Sequence, residues 1–302
     1  MDDWGRQMST AQNPYPAGVI AGMSSDDYFA LSDVLSSTGA RKLSRSPLHF
    51  FGTTLDPQRP PQQPSDAMLA GTLAHCALLE PDCLSSRYAI VPASAPRRPS
   101  VIQRNAKKPS PESVYAIEWW DAFALEHAGA EIIEPEQLQT AQRQAASIRA
   151  LPEIGPLLSA GEPELSAFWT DRATGVRCKC RPDWTSYGPG SAVLLDLKTT
   201  QDASEKAFSR SIWNYRYDMQ AAWYVDGYEQ ASSAMVMGFV FICVESDWPH
   251  AAAAYMLDDE AMEKARATNR RMLELYAECK STNRWPGYAN TIRPISLPVW
   301  AH

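Results

Sequence analysis

Two carboxylates and one lysine stand where strand alternation can bring them together. Asp183 lies in Arg181-Pro182-Asp183-Trp184, near the end of one predicted strand, and Asp196-Leu197-Lys198 closes the next. Alternation places Asp196 and Lys198 on one face and sends Leu197 into the core. A hairpin turn between the two strands can set Asp183 beside them. Carboxylates so placed can hold a divalent ion, which neutralises charge at an anionic phosphorus centre and eases deprotonation of an attacking water. Magnesium prefers oxygen donors of this kind. The lysine can orient or deprotonate the water, or hold a phosphate oxygen. The pattern therefore suits metal-assisted phosphodiester hydrolysis. D-x-K alone also occurs as an acidic strand end with a surface lysine. What adds weight is Pro-Asp one hairpin upstream and the apolar strand, Ala192 to Lys198, that leads into the motif.

Positioning these groups requires a three-strand meander, and the sequence has its period and punctuation. Glu164 to Thr170 alternates as a strand and Asp171 to Gly175 is a turn. Val176 to Thr185 alternates again, with Val176, Cys178 and Cys180 against Arg177, Lys179 and Arg181. Gly188-Pro189-Gly190 is the second turn, before the strand that ends in Lys198. Upstream, Ser36 and Ser37 precede an amphipathic segment, Thr38 to Ser46, closed by Pro47; these are helix boundary signals. Asp56 to Pro64 holds four prolines and three glutamines and reads as a loop. Ser65 or Asp66 caps a helix to about Glu80, with Met68, Leu69, Leu73, Cys76 and Leu79 on one apolar side. Residues 92 to 111, with five prolines and a Lys/Arg cluster, read as a mobile basic loop. Helices are expected from Glu112 to His127 and Pro135 to Ala150, with a short strand or turn at Glu131 to Glu134. Two more follow, from about Ser204 to Trp213 and Tyr217 to Gln230. Ala234 to Val244 is strand-like, Ala251 to Leu257 can pair with it, and Asp258 or Asp259 caps a last helix to about Lys280. No internal repeat is visible. The mixture points to an α/β or α+β layer fold. The expected organisation is a flexible leader over residues 1–24, one domain over 25–283 with its core at about 162–257, and an irregular tail over 284–302.

Composition bounds the class. The 302 residues, 45% of them apolar, suffice for one large domain. No run of about 18 apolar residues suggests a membrane span. The N-terminus lacks a basic start followed by an apolar stretch, so it does not read as a secretory signal, and a cytosolic protein is expected. The six cysteines form no paired C-x-x-C sets; buried thiols are expected rather than disulfides or a zinc site. The formal charge of −7 counts against nucleic-acid binding by bulk attraction. Local basic clusters exist at Arg41, Lys42 and Arg45, at Arg97 and Arg98, and from Arg104 to Lys108; any one of them taken singly reads better as a solvated face.

In their order these features resemble the PD-(D/E)xK nuclease superfamily. Within it, the chain is similar to the RecE-type exodeoxyribonuclease VIII group of prophages, which is RecB-like and has a lambda-exonuclease-like core. The resemblance rests on Leu35-Ser36-Ser37-Thr38 running to Ser46-Pro47, Gly71-Thr72-Leu73-Ala74-His75, Arg181-Pro182-Asp183, Asp196-Leu197-Lys198-Thr199-Thr200, and Gln220 with Tyr224. It implies a restriction-endonuclease-like core, a central mixed sheet flanked by helices, in a bacterial or phage-encoded cytoplasmic enzyme. It implies Asp183 and Asp196 as metal-binding carboxylates, Lys198 as the catalytic lysine, and His75 as an additional metal ligand, where the alternative is a packing histidine. The implied cofactor is Mg2+, with Mn2+ able to substitute. Glu164 falls where related enzymes often carry an acidic residue, or simply faces solvent. Gln220 and Tyr224, four apart on one helical face, would line the site, or else the tyrosine packs and the glutamine is exposed. Thr199 and Thr200 either bind a phosphate or end the strand. Ser36, Ser37, Arg41 and Arg45 either form a pocket for a terminal phosphate at a helix N-terminus or a capped helix with a basic face. The implied activity is 5′-to-3′ degradation of double-stranded DNA ends. It would leave 3′ single strands for a RecT-like annealing protein, with a homo-oligomer, a ring among its forms. Other readings are an endonuclease of restriction or repair type, and a non-catalytic DNA-end-binding protein.

Overall fold

A computed structural model describes residues 17–61 and 65–297. The chain opens with β1 (Gly18–Ile20) and α1 (Ser25–Ala30), whose cap Ser24 accepts from the Asp27 amide at 3.0 Å. β2 (Leu35–Ser36) runs into α2 (Ser37–Arg45), capped by Ser36 Oγ accepting from the Gly39 amide. α3 (Pro47–Phe50) and a wider turn over Phe51–Leu55 follow. α4 (Asp66–Leu79), capped by Ser65, stops before Pro81. Next come α5 (Leu84–Arg87), β3 (Tyr88–Ile90), α6 (Val101–Arg104), α7 (Pro111–Glu126), β4 (Glu131–Ile133), α8 (Pro135–Arg149) and α9 (Ile154–Ser159). The central strands are β5 (Gly161–Pro163), β6 (Ser166–Thr170), β7 (Arg177–Cys180), β8 (Trp184–Gly188) and β9 (Ser191–Thr200). α10 (Glu205–Tyr215), α11 (Tyr217–Ser232), β10 (Met235–Glu245), β11 (Ala252–Tyr255) and α12 (Asp259–Thr282) complete the chain.

Two sheets carry the architecture. One has the order β11-β10-β9-β8-β5 and is mixed: β9 lies parallel to β10, while β8 and β11 run antiparallel to their neighbours. The other has the order β1-β6-β7-β2. Strand β9 is buried on both faces. Leu194 joins Phe239, Phe241, Phe208 and Met219 under α10, α11 and α12. Leu195 joins Val240, Ile242 and Val244 against Leu73, Cys76, Ala145 and Ile148 of α4 and α8. Burial on both sides explains why β9 and β10 read as near-continuous apolar runs. This is the mixed α/β layer fold expected, with helices on both faces. All six cysteines are free.

The meander differs from expectation in one respect. Val176 to Thr185 is not one strand but two, in different sheets. β7 ends at Cys180 and pairs with β6, whereas β8 begins at Trp184 and pairs with β9. Pro182 has no N–H to give the ladder, so the strand cannot run through it. Glu164 likewise lies in no strand: it is the left-handed hinge (φ 55°) between β5 and β6. The two crossings are tied together, the Glu164 amide donating to the Asp183 carbonyl at 3.2 Å.

Two outer segments also differ, while the described part of the tail is irregular as expected and packs on the domain. In residues 92–111, α6 carries a capping box, Trp120 Nε1 donates to the Pro96 carbonyl, Arg98 stacks 4.4 Å from the Trp120 ring centre and Arg104 pairs with Asp121. The stretch expected to be a mobile loop is therefore pinned to α7. The leader expected through residue 24 lies outside the described residues up to 16, but Gly18–Ile20 pairs with β6. In the tail, Trp285 stacks on Phe51 at 5.7 Å and the Pro286 carbonyl accepts from the Leu48 amide, while 298–302 lie outside the described residues. Met68, expected on the buried side of α4, is exposed. Among the described residues no helix is long and apolar enough to cross a membrane.

Candidate active site

The crossing between the two sheets is where the chemistry collects. α4 carries His75 over it, and the imidazole Nε2 stands 3.2 Å from Glu164 Oε1 and 3.4 Å from Asp183 Oδ1. Asp183 Oδ2 accepts from the Leu197 amide at 2.7 Å, which fixes this carboxylate against β9. On the same strand Asp196, 2% exposed, accepts from Gln220 Nε2 of α11 at 2.6 Å and pairs with Lys198 through its other oxygen. The Lys198 ammonium sits 4.6 Å from the centre of the Tyr217 ring. His75, Glu164, Asp183, Asp196, Lys198 and Gln220 open onto one cleft of about 450 Å³, which Thr199 and Tyr224 also line.

Burial and crowding of like charge set the electrostatics. Burial works against the ionised form of Asp183, but the neighbouring His75 and Lys198 cations and the Leu197 amide outweigh it and hold this carboxyl below its usual range. Asp196 goes the other way: burial and the charge of Asp183 push it up to about 6 against the pull of Lys198. Burial and Asp183 push Glu164 up to about 7, opposed by His75 and Arg181. His75 rises to about 9, burial being overcome by Asp183 and Glu164. Lys198 is also raised, burial being overcome by Asp196 and Asp183.

The donor set fits a divalent metal. One ligand atom each from His75, Glu164 and Asp183 lie within 4.8 Å of one another. Two carboxylates and an imidazole suit hard or borderline ions. Glu164, whose carboxyl is pushed up by burial and by the charge of Asp183, is one that a cation would ionise.

Most of the sequence reading is brought together here. Asp183, Asp196 and Lys198 share the cleft, and His75 turns its ring to carboxylates rather than to the core. The ligand cluster differs from the expected His75, Asp183 and Asp196. Glu164 is the third member of the group whose donor atoms lie together, and Asp196, in the same cleft, is engaged by Gln220 and Lys198. Gln220 is 6% exposed, not solvent-facing. Tyr224 both lines the cleft and packs edge-on against Phe239. Thr200 bonds with Asp202 and closes the strand end. The pocket expected from Ser36, Ser37, Arg41 and Arg45 forms only in part. Ser36 and Ser37 line a larger cleft of about 840 Å³. Arg41 instead donates to the Tyr215 carbonyl and Thr38, and Arg45 to the Tyr288 hydroxyl. Both arginines are drawn off by α10 and the tail, partners too distant in sequence to foresee. Lys42 and Arg59 line that cleft instead. Helical spacing could have found Lys42, since it lies on a different face of α2 from Arg41.

The family model of a PDDEXK-like domain of unknown function (DUF3799) matches residues 36–297. No curated protein matches the chain. Among solved structures, a candidate exonuclease from Eubacterium rectale superposes with a TM-score of 0.52 at 15% identity, over 91% of this chain and 96% of that one. At that identity the likeness speaks for the fold. A second structure, SSO0001, reaches a TM-score of 0.27 at 14% identity over 68% of this chain and 87% of that one, too slight a likeness to argue from. With the fold, the crossing and the D-x-K strand in hand, the chain belongs to the PDDEXK-like family, a nuclease-type domain of the PD-(D/E)xK superfamily.

Proposed function

We propose that this protein is a magnesium-dependent exodeoxyribonuclease that degrades linear double-stranded DNA from its 5′ ends. The observation that carries the reading is the convergence of His75, Glu164 and Asp183 with the Asp196–Lys198 pair in one cleft. The surroundings support a polyanionic substrate. The 840 Å³ cleft meets the site at Glu164, Asp183 and Tyr224 and has Lys42, Arg59, Lys179 and Arg181 in its walls. A further cleft of about 750 Å³ joins the site at Thr199. A strand end can thus pass through the site along one groove.

When bound, a divalent ion supplies charge neutralisation at the phosphate and a more acidic attacking water; Mg2+ is the expected ion and Mn2+ a substitute. The chain's own groups divide the remaining work. Because Lys198 is held protonated, it donates hydrogen bonds to the water or a phosphate oxygen rather than taking a proton. Asp196 places that ammonium and, on the family resemblance, adds a carboxylate to the metal site. Gln220 fixes Asp196. Tyr224, raised well above its usual range by burial and by Asp196, keeps its proton and can donate to a phosphate oxygen. A homo-oligomer, a ring among its forms, and a RecT-like annealing protein taking up the 3′ strand complete the proposal on the same resemblance.

Digestion of end-labelled linear duplex and of covalently closed circles tests it. With Mg2+ the linear DNA should be consumed from its 5′ ends and the circles should survive; chelation should stop the reaction. Lys198→Ala should lower the rate by about 10²-fold or more. Asp196→Asn should abolish cleavage while retaining end binding. Nicked circles would replace the exonuclease with an endonuclease, and undiminished cleavage by Lys198→Ala would remove this mechanism.

A further inference from the structure

We infer that Arg181 is a positioning residue that holds Glu164 in metal-binding geometry, an inference that rests on the metal site proposed above. Arg181 belongs to the linker between the two sheets and is 7% exposed. Its donors are spread over several anchors. Nε donates to Ser166 Oγ at 2.8 Å, Nη2 to the Met23 and Ser24 carbonyls at 3.0 and 3.3 Å, and Nη1 to Ser25 Oγ at 3.4 Å. The guanidinium carbon lies 4.2 Å from the centre of the Tyr28 ring. These partners are neutral: they fix the plane of the fork without cancelling its charge.

Among the described residues, the carboxylate within ion-pair range is Glu164, with Nη1 3.5 Å from Oε2. The other oxygen, Oε1, faces His75. Arg181 thus takes one side of the carboxylate and leaves the other turned to the ligand cluster. Glu164 needs such a holder, because it sits on a left-handed hinge outside any strand and its side chain has three rotatable bonds. The same linker also carries Asp183, so Arg181-Pro182-Asp183 supplies one ligand directly and orients another. Pro182 restricts the backbone between them. A lysine could supply charge but not the fork that reaches Ser166, the 23–25 segment and Glu164 together.

Mn2+ binding by the full-length protein, followed by electron paramagnetic resonance, tests this without reference to cleavage. Arg181→Gln should weaken Mn2+ binding by about 10- to 100-fold, the usual effect of losing a group that orients a metal ligand. Arg181→Lys should recover little of it. In a Glu164→Gln background, Arg181→Gln should cause no further loss. Binding within about twofold of wild type in Arg181→Gln would overturn the inference, as would an equal loss in both backgrounds. If Arg181→Gln does not fold, Ser166→Ala decides: it frees Nε and leaves every charge in place. Weaker Mn2+ binding that vanishes in the Glu164→Gln background upholds the role, and unchanged binding sinks it. Asp183→Asn separates the two readings. If it fails to weaken Mn2+ binding, the metal site itself is wrong; if it does weaken binding while Arg181→Gln does not, only the positioning role falls.

Discussion

At the scale of single residues, the site stores protons that a metal must displace. His75 holds its proton to about pH 9 and Glu164 to about pH 7 in the metal-free protein. A ligand imidazole must be neutral and a ligand carboxylate ionised. Metal-free protein therefore binds more protons than metal-loaded protein, so metal affinity must rise with pH. The rise begins below pH 7, where both groups carry protons, and flattens above about pH 9, where both have lost them. Calorimetry of Mn2+ binding in buffers of different ionisation enthalpy should show more than one proton released at pH 7. His75→Gln should remove the part of the release that persists between pH 7 and 9. An affinity that does not change with pH would mean that His75 and Glu164 are not ligands.

At the scale of elements, α11 must sit close to β6 for Gln220 and Tyr224 to reach the cleft. Gly227 permits that approach: a Cβ there would lie 2.2 Å from the Trp169 ring. That ring also stands against Trp223, 5.6 Å between centres, and would have to shift to admit the methyl group. Gly227→Ala gains about 1 kcal/mol of helix propensity but meets an overpacking cost of about 1–3 kcal/mol. The expected result is a lower thermal midpoint and reduced cleavage, because Gln220 and Tyr224 ride on the same helix; a raised midpoint would contradict it. Legibility in the sequence follows the same division. α4, α8 and α11 are readable from helical boundary signals and spacing, and β9 and β10 from their long apolar runs. The shared face of Asp196 and Lys198 was readable because period-two alternation holds along β9. The break at Pro182 was obscured because alternation continues on both sides of it while the sheet changes. β1, β2, β3 and β5, at two or three residues each, are set by their partners rather than by any local pattern. Nothing local marks a glutamate for a left-handed hinge, so alternation alone puts Glu164 in a strand.

At the scale of the whole molecule, a chain of net charge −7 must hold an anionic polymer by local rather than bulk attraction. The wall beside the site shows how. Lys42 Nζ bonds Thr54 Oγ1 at 3.2 Å and the Thr53 carbonyl, and Arg59 bonds the Thr54 carbonyl. These contacts orient both cations without neutralising them. Burial and the nearby Arg59 and Arg41 charges pull the Lys42 ammonium below its usual range, a strain that a phosphate would relieve. The cluster on the far segment is different: Arg98 is stacked on Trp120 and Arg104 is paired with Asp121. If the cleft wall is where phosphates lie, the two clusters must differ in their salt dependence. Each phosphate contact contributes about 0.9 to the slope of log affinity against log salt. Replacing both Lys42 and Arg59 with alanine should therefore weaken binding of a duplex end and reduce that slope by about two. Replacing Arg98 and Arg104 should leave the slope unchanged. Anisotropy titrations over a range of salt, in the cleavage-deficient Asp196→Asn background, measure both. A slope that fell for the Arg98 and Arg104 replacements, and not for those at Lys42 and Arg59, would move the DNA path to the α6–α7 segment.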